Sequence, residues 1–122
     1  MSSLFIEYPK CTTCQKAKKW LQDHQIAFED RHITEQRPTA DELKQWQKIA
    51  RLPLKSFFNT SGLLYKSMDL KNQLPSMTDD EKLELLGSNG MLVKRPLVIS
   101  DDFILIGFKI PEWEKKLTGS RD

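Results

Sequence analysis

The sequence predicts an α/β fold in the order β-α-β, a helical block, then β-β-α, and three stretches carry that expectation. A short apolar run, Leu4-Phe5-Ile6-Glu7-Tyr8, stops at Pro9, and the residues after it place Ala17, Trp20 and Leu21 at helical spacing. The alternating residues 27–33 then complete a strand–helix–strand unit, for which a parallel pair and a right-handed crossover are expected. Much later, Leu97-Val98-Ile99-Ser100 and residues 103–108 flank Asp101-Asp102, the pattern of a hairpin.

The first helix is expected over residues 12–24, with Gln25-Ile26 joining it to the second strand in few residues. Arg37-Pro38 breaks the pattern. Thr39 can cap a new helix, with Glu42 completing a capping box, and Leu43, Trp46, Gln47, Ile49 and Ala50 form its inner stripe. Pro53 ends that helix. A helical turn and a loop follow over residues 54–62, then another turn of helix over 63–67. Thr78, with acids at Asp79, Asp80 and Glu81, is a second start signal, and Leu83, Leu85 and Leu86 supply the buried face of a helix that 87–90 terminates. Pro111 opens a last helix that runs to Leu117, with Glu112 in its first turn. The expected organisation is one domain over 1–122, with a mostly helical insertion at about 39–90.

A chain of 122 residues is long enough to bury a core without staples. A net charge of +2 argues against a large nucleic-acid footprint, so no direct nucleic-acid partner is expected. No run approaches the length of a membrane span, and the first residues lack the basic stretch and apolar core of a signal peptide, so the expected home is cytoplasmic and off the membrane. In that compartment Cys11-Thr12-Thr13-Cys14 reads as redox-active or metal-binding rather than as a structural staple. A closed zinc site wants four ligands. The chain has two cysteines and two histidines, but His24 falls late in the first helix and His32 in the next strand, which fits no finger spacing; no metal is expected. Buried, inert thiols remain the plain alternative.

The cysteines sit where a strand gives way to a helix. Free backbone N–H groups and the helix dipole stabilise negative charge at such a terminus, which lowers a thiol pKa and favours the nucleophilic thiolate. Residues three apart on a first helical turn lie side by side, so Cys11 reads as the attacking thiol and Cys14 as the resolving one. Lys10 and Lys16 would favour the thiolate, whereas a solvated helix face accounts equally well for Lys18 and Lys19. Trp20, Trp46 and Trp113 read as packing residues, and His24 and His32 as surface residues.

Four motifs in order carry a family resemblance: residues 11–17 (CTTCQKA), Phe58-Asn59-Thr60-Ser61-Gly62, Leu92-Val93-Lys94-Arg95-Pro96-Leu97 and Ile106-Gly107-Phe108. From Leu4 to Leu117 the chain resembles the arsenate-reductase-like family, which also contains the Spx transcriptional regulators. The resemblance implies a thioredoxin-like fold, a cis Arg95-Pro96 peptide facing the active-site cysteine, and catalytic roles for Cys11, Cys14 and Arg95. It also implies that Lys10, Thr12, Thr13, Asn59, Ser61 and Pro96 line the substrate site. No bound cofactor is implied; reducing power would come from glutathione, glutaredoxin or thioredoxin, so the partner is a small thiol or a redox protein.

Departures from the family pattern shape the expected chemistry. Arsenate reductases of this family bind the oxyanion with three arginines; Arg95 keeps one, while the alignment puts Asn59 at the second position and Phe108, beside Lys109, at the third. Losing two bidentate guanidinium contacts weakens the grip on a small doubly charged oxyanion. The Spx branch meets the RNA polymerase α-subunit through a loop bearing glycine and acids, and here that loop reads Arg51-Leu52-Pro53-Leu54-Lys55. The expected function is a thiol-dependent reductase acting on a mixed disulfide or an oxyanion such as arsenate. The alternative is an Spx-like redox-sensing regulator that binds RNA polymerase.

Overall fold

The computed structural model describes residues 3–119. In chain order its elements are β1 (Ser3–Glu7), α1 (Thr12–Asp23), β2 (Phe28–His32), α2 (Ala40–Ala50), α3 (Leu63–Ser67), α4 (Leu70–Gln73), α5 (Asp79–Ser88), β3 (Leu97–Ile99), β4 (Ile104–Ile106) and α6 (Ile110–Leu117). These residues form two compact units, one drawn from 3–32 and 95–119 and the other from 33–94. The stretch expected to be helical, 39–90, lies inside the second.

The first unit carries a four-stranded sheet of order β2-β1-β3-β4. As the crossover helix requires, β1 and β2 are parallel, with Ser3 opposite Phe28 and Glu7 opposite His32. The hairpin partners are antiparallel, with Phe5 opposite Val98 and Val98 opposite Leu105. Because strand side chains alternate between faces, Phe5, Val98 and Leu105 project together, and they pack with Ala17 and Leu21 of α1 and Trp113 of α6. Each such burial stabilises by about 1.5–3 kcal/mol; this layer, more than intrinsic helix propensity, holds α1 in place. Ile6 and Leu97 project from the opposite face and are also fully buried. The arrangement is thioredoxin-like, as the resemblance implied.

One polar strut closes the layer. The buried Trp113 Nε1–H donates to the Gly107 carbonyl at 3.1 Å. The N–H of Gly107 donates to the Pro96 carbonyl at 2.8 Å. Gly107 holds φ at +79°, which only glycine adopts without cost.

In the second unit both sequence-read start signals form complete capping boxes. Thr39 and Glu42 exchange hydrogen bonds of 3.0 and 3.1 Å, and Thr78 and Glu81 do so at 2.8 and 3.1 Å. Leu43 and Trp46 of α2 and Leu83 and Leu86 of α5 are buried, while Leu85, expected inside, is only half-buried. Gly90 opens a single 3-10 turn and meets residue 33 closely: a Cβ there would lie 2.1 Å from the Ile33 carbonyl oxygen. The sequence reading placed no helix at 70–73. There Asp69, at φ +54°, turns the chain and pairs with Asn72 at 2.8 Å, giving an element too short for periodicity to reveal.

Candidate functional site

The turn leaving β1 sets the site. Pro9 occupies the second turn position, where its fixed φ is favoured, and the Cys11 N–H donates to the Tyr8 carbonyl at 2.9 Å. Gln15 reaches back from α1, its Nε2–H donating to the Pro9 carbonyl at 2.8 Å. Cys11 is thereby the N-cap of α1, extended at φ −84° and ψ 122°, and Cys14 lies in the first helical turn. Both thiols are free.

The two sulfurs differ sharply. Cys11 is partly exposed, and Cys14 is fully buried. Partial burial of Cys11 opposes ionisation, but the Cys14 N–H, the Cys14 thiol, the Thr13 N–H and the Arg95 charge together outweigh it and hold its pKa below the usual thiol range. Burial pushes the Cys14 thiol up to about 12, helped by the neighbouring Cys11 sulfur and only partly countered by a backbone hydrogen bond from Tyr8 and the charge of Arg95. One thiol is prepared to be a thiolate and the other to stay protonated.

Arg95 joins this cluster through the Arg95-Pro96 peptide, which is cis. Its guanidinium lies over the Tyr8 ring, 5.2 Å from the centroid. Pro96 is buried, whereas Lys10, Thr12 and Thr13 are exposed around Cys11. The charge that bears on Cys11 is that of Arg95, and Lys10 and Lys16 are exposed.

Asn59 and Ser61 belong to the helical unit. The Asn59 N–H donates to the Leu92 carbonyl at 2.7 Å, and the Ser61 hydroxyl donates to Asn59 Oδ1 at 3.4 Å. Phe108 packs edge-on against Trp113 at 4.8 Å.

A second polar group lies on the α1 face of the sheet. Lys18 is not the freely solvated residue its helix position suggested: its Nζ sits 2.6 Å from Asp30 and 3.4 Å from Glu7. Glu7 is only 4% exposed. Burial first, then the hydrogen bond and charge of Asp30, raise its pKa to about 7 against the pull of Lys18. His32, read from the sequence as a surface residue, is half-buried and meets the Tyr8 ring edge-on at 5.9 Å. His24 is exposed as expected, stacked on Trp20 at 3.9 Å. Lys19 pairs with Asp23 on the surface at 2.9 Å.

A model of the ArsC family matches residues 6–116. The chain belongs to the ArsC family. Among its relatives it is 49% identical to the uncharacterized protein YusI of Bacillus subtilis, over 94% of this chain and 98% of that one. It is 30% identical to the global transcriptional regulator Spx of Staphylococcus epidermidis, over 92% of this chain and 83% of the relative. Among solved structures it resembles an ArsC family related protein from Bacteroides fragilis, with a TM-score of 0.90 and 53% identity over 94% of this chain and 97% of the other. Membership in the ArsC family rests on nearly the whole length, so the cysteine turn and the Arg95-Pro96 peptide both fall inside the match. Among the described residues no helix is long and apolar enough to cross a membrane.

Sequence reasoning missed Glu7, Tyr8, Gln15 and Asp30 as parts of this neighbourhood. For Glu7 a signal was present: a carboxylate closes an otherwise apolar strand, and the buried end of a strand rarely keeps one without a partner.

Proposed function

We propose that this chain is a cytoplasmic thiol-dependent reductase in which Cys11 attacks an oxidised substrate and Cys14 resolves the adduct. The observation that carries the reading is the asymmetry of the pair: an accessible thiol with a lowered pKa beside a fully buried one pushed up to about 12. Thiol–disulfide exchange needs a thiolate attacker and a second thiol within reach of the mixed species. The Cys11 thiolate attacks one sulfur of the substrate disulfide, whose S–S bond breaks and expels the other sulfur as a thiolate; Cys14 then attacks the Cys11 sulfur, expelling the bound half as a second thiolate and leaving a Cys11–Cys14 disulfide. Glutathione, glutaredoxin or thioredoxin returns the pair to the dithiol form.

A mixed disulfide suits the site better than arsenate. Arg95 supplies one guanidinium, and the ring of Phe108, turned against Trp113, offers no charge where the family's third arginine would stand. Lys10, Thr12, Thr13 and Pro96 are the proposed substrate-lining residues within the unit that carries the cysteines.

The regulator reading draws support from the relative named as the global transcriptional regulator Spx. In it the same cysteine pair would sense oxidation, and the partner would be the RNA polymerase α-subunit. Arg51, in the loop proposed to meet that partner, holds φ at +57°, a conformation glycine adopts more readily.

A coupled assay tests both readings. Consumption of NADPH is followed through glutathione, glutaredoxin or thioredoxin relays, with a glutathione mixed disulfide and arsenate offered separately and Cys11→Ser as the blank. Turnover of the disulfide that vanishes in the blank is the expected result. Turnover of arsenate alone would overturn the substrate preference, and silence on both with cysteines that still oxidise would favour the regulator.

A further inference from the structure

Three side chains meet at one end of the sheet. Glu7 of β1 lies opposite His32 of β2, and Ile6 lies opposite Leu97 of β3. Carried two residues further, the antiparallel register sets Tyr8 against Arg95. His32, Tyr8 and Arg95 thus form a row across the end of the sheet at which α1 begins, and contacts join them. The Arg95 guanidinium lies 5.2 Å from the centroid of the Tyr8 ring, and His32 meets the same ring edge-on at 5.9 Å. All three are half-buried, so water competes only partly for the ring face.

The backbone of Tyr8 already serves both thiols. Its carbonyl accepts from the Cys11 N–H at 2.9 Å, and its N–H supplies a hydrogen bond to the Cys14 sulfur. The side chain adds what the backbone cannot. The Arg95 charge acts on both sulfurs in favour of thiolate, yet an arginine side chain is long and loses much rotamer freedom when held in one place. The Gly107 N–H secures the chain just after it, at the Pro96 carbonyl, and leaves the guanidinium to side-chain contacts. An aromatic face suits that task, because it attracts a cation through its quadrupole and adds no negative charge. A carboxylate in the place of Tyr8 would also hold the guanidinium but would oppose its field at Cys11. Glu7, the acid beside Tyr8 in sequence, is engaged by Lys18 at 3.4 Å.

We propose that Tyr8 is a positioning residue of the thiol site: its ring face holds the Arg95 guanidinium where that charge stabilises the Cys11 thiolate. The ring does this, and the phenol hydroxyl takes no part.

The inference rests on the reading of Cys11 as attacking thiol, and the test keeps the two apart. Reduced protein is alkylated with iodoacetamide across a pH series, and the midpoint of the Cys11 rate is read by mass spectrometry. Tyr8→Leu removes the ring and keeps the backbone; it should raise the midpoint in the direction of Arg95→Gln, by about half as much or more. Tyr8→Phe keeps the ring and should hold the wild-type midpoint. With Arg95→Gln already present, Tyr8→Leu should add nothing, because it acts through the guanidinium. Three results would overturn the role of Tyr8 and leave Cys11 as attacker: a Tyr8→Leu midpoint equal to wild type, an equal shift with and without Arg95, or a Tyr8→Phe midpoint as high as that of Tyr8→Leu. A wild-type midpoint at the ordinary thiol value would remove the attacker and the role of Tyr8 with it. A second measurement needs no substitution. In the wild-type NMR spectrum the Arg95 side-chain protons should be shifted upfield by the ring current of Tyr8. Resonances at their ordinary positions would overturn the contact, and with it the proposal.

Discussion

The N–H of Gly107 donates to the carbonyl of Pro96 at 2.8 Å, tying the residue after β4 to the cis peptide that carries Arg95. The Gly107 carbonyl in turn accepts from the buried indole of Trp113 at 3.1 Å. Any side chain at Gly107 must adopt its φ of +79°. Gly107→Ala should therefore lower stability by about 1–2 kcal/mol. Trp113→Phe should cost about 1–3 kcal/mol through the unpaired buried carbonyl alone, with lost packing in addition. Urea unfolding checks both, and a Gly107→Ala midpoint equal to wild type would show that the strand end relaxes.

Alkylation reports the thiolate directly. The Cys11 pKa lies below the ordinary thiol value of 9.0, so its reaction with iodoacetamide should reach half its maximum rate below that pH, while buried Cys14 reacts far more slowly. Arg95→Gln should shift the Cys11 midpoint upward, but modestly, because the backbone N–H groups and the Cys14 thiol outrank its charge. A wild-type midpoint at the ordinary value would remove the basis for Cys11 as attacker.

Glu7 should also mark the pH dependence of folding. Its pKa rises from 4.5 to about 7 in the native state, so the folded chain holds this proton more tightly than the unfolded one. Its contribution is full below pH 4.5 and is lost as pH climbs through about 7. Asp30 runs the other way: its pKa is held below 3.8, so its contribution is present above that value and fades on acidification. Between pH 4.5 and 7 the Glu7 effect dominates, on the order of 1–3 kcal/mol. Glu7→Gln should flatten the stability profile across this window. Denaturant midpoints that decline with pH equally in both proteins would disprove the assignment.

In the helical unit two substitutions test different physics. Thr39→Ala deletes one half of a capping box and should cost about 1 kcal/mol. Gly90→Ala drives a methyl toward the Ile33 backbone carbonyl, 2.1 Å away before relaxation, and should cost about 1–3 kcal/mol. Thermal melts of both rank them, and the prediction fails if Gly90→Ala is the milder.

Much of the fold was legible because it is encoded locally. Thr39 with Glu42, and Thr78 with Glu81, announce helix starts through hydrogen bonds confined to one turn. The strand–helix–strand opening and the hairpin about Asp101-Asp102 are read from period and turn residues. The order of the cysteines, one at the N-cap and one in the first turn, also follows from local pattern. Residues 70–73 escaped because one turn of helix has no period to detect.

By itself, then, the chain's residue pattern determined the element order, the capped helices and the placement of two thiols at a helix start. The tertiary structure decided which thiol is buried, and with it the difference between a lowered pKa and one near 12. It also decided that Lys18 faces two carboxylates from different strands, and that Glu7 lies under α1 while Ile6, one residue earlier, projects to the other side. The physical reason is range. Caps and periodicity act within a turn or a strand, whereas burial and charge depend on what the chain brings alongside from far away in sequence.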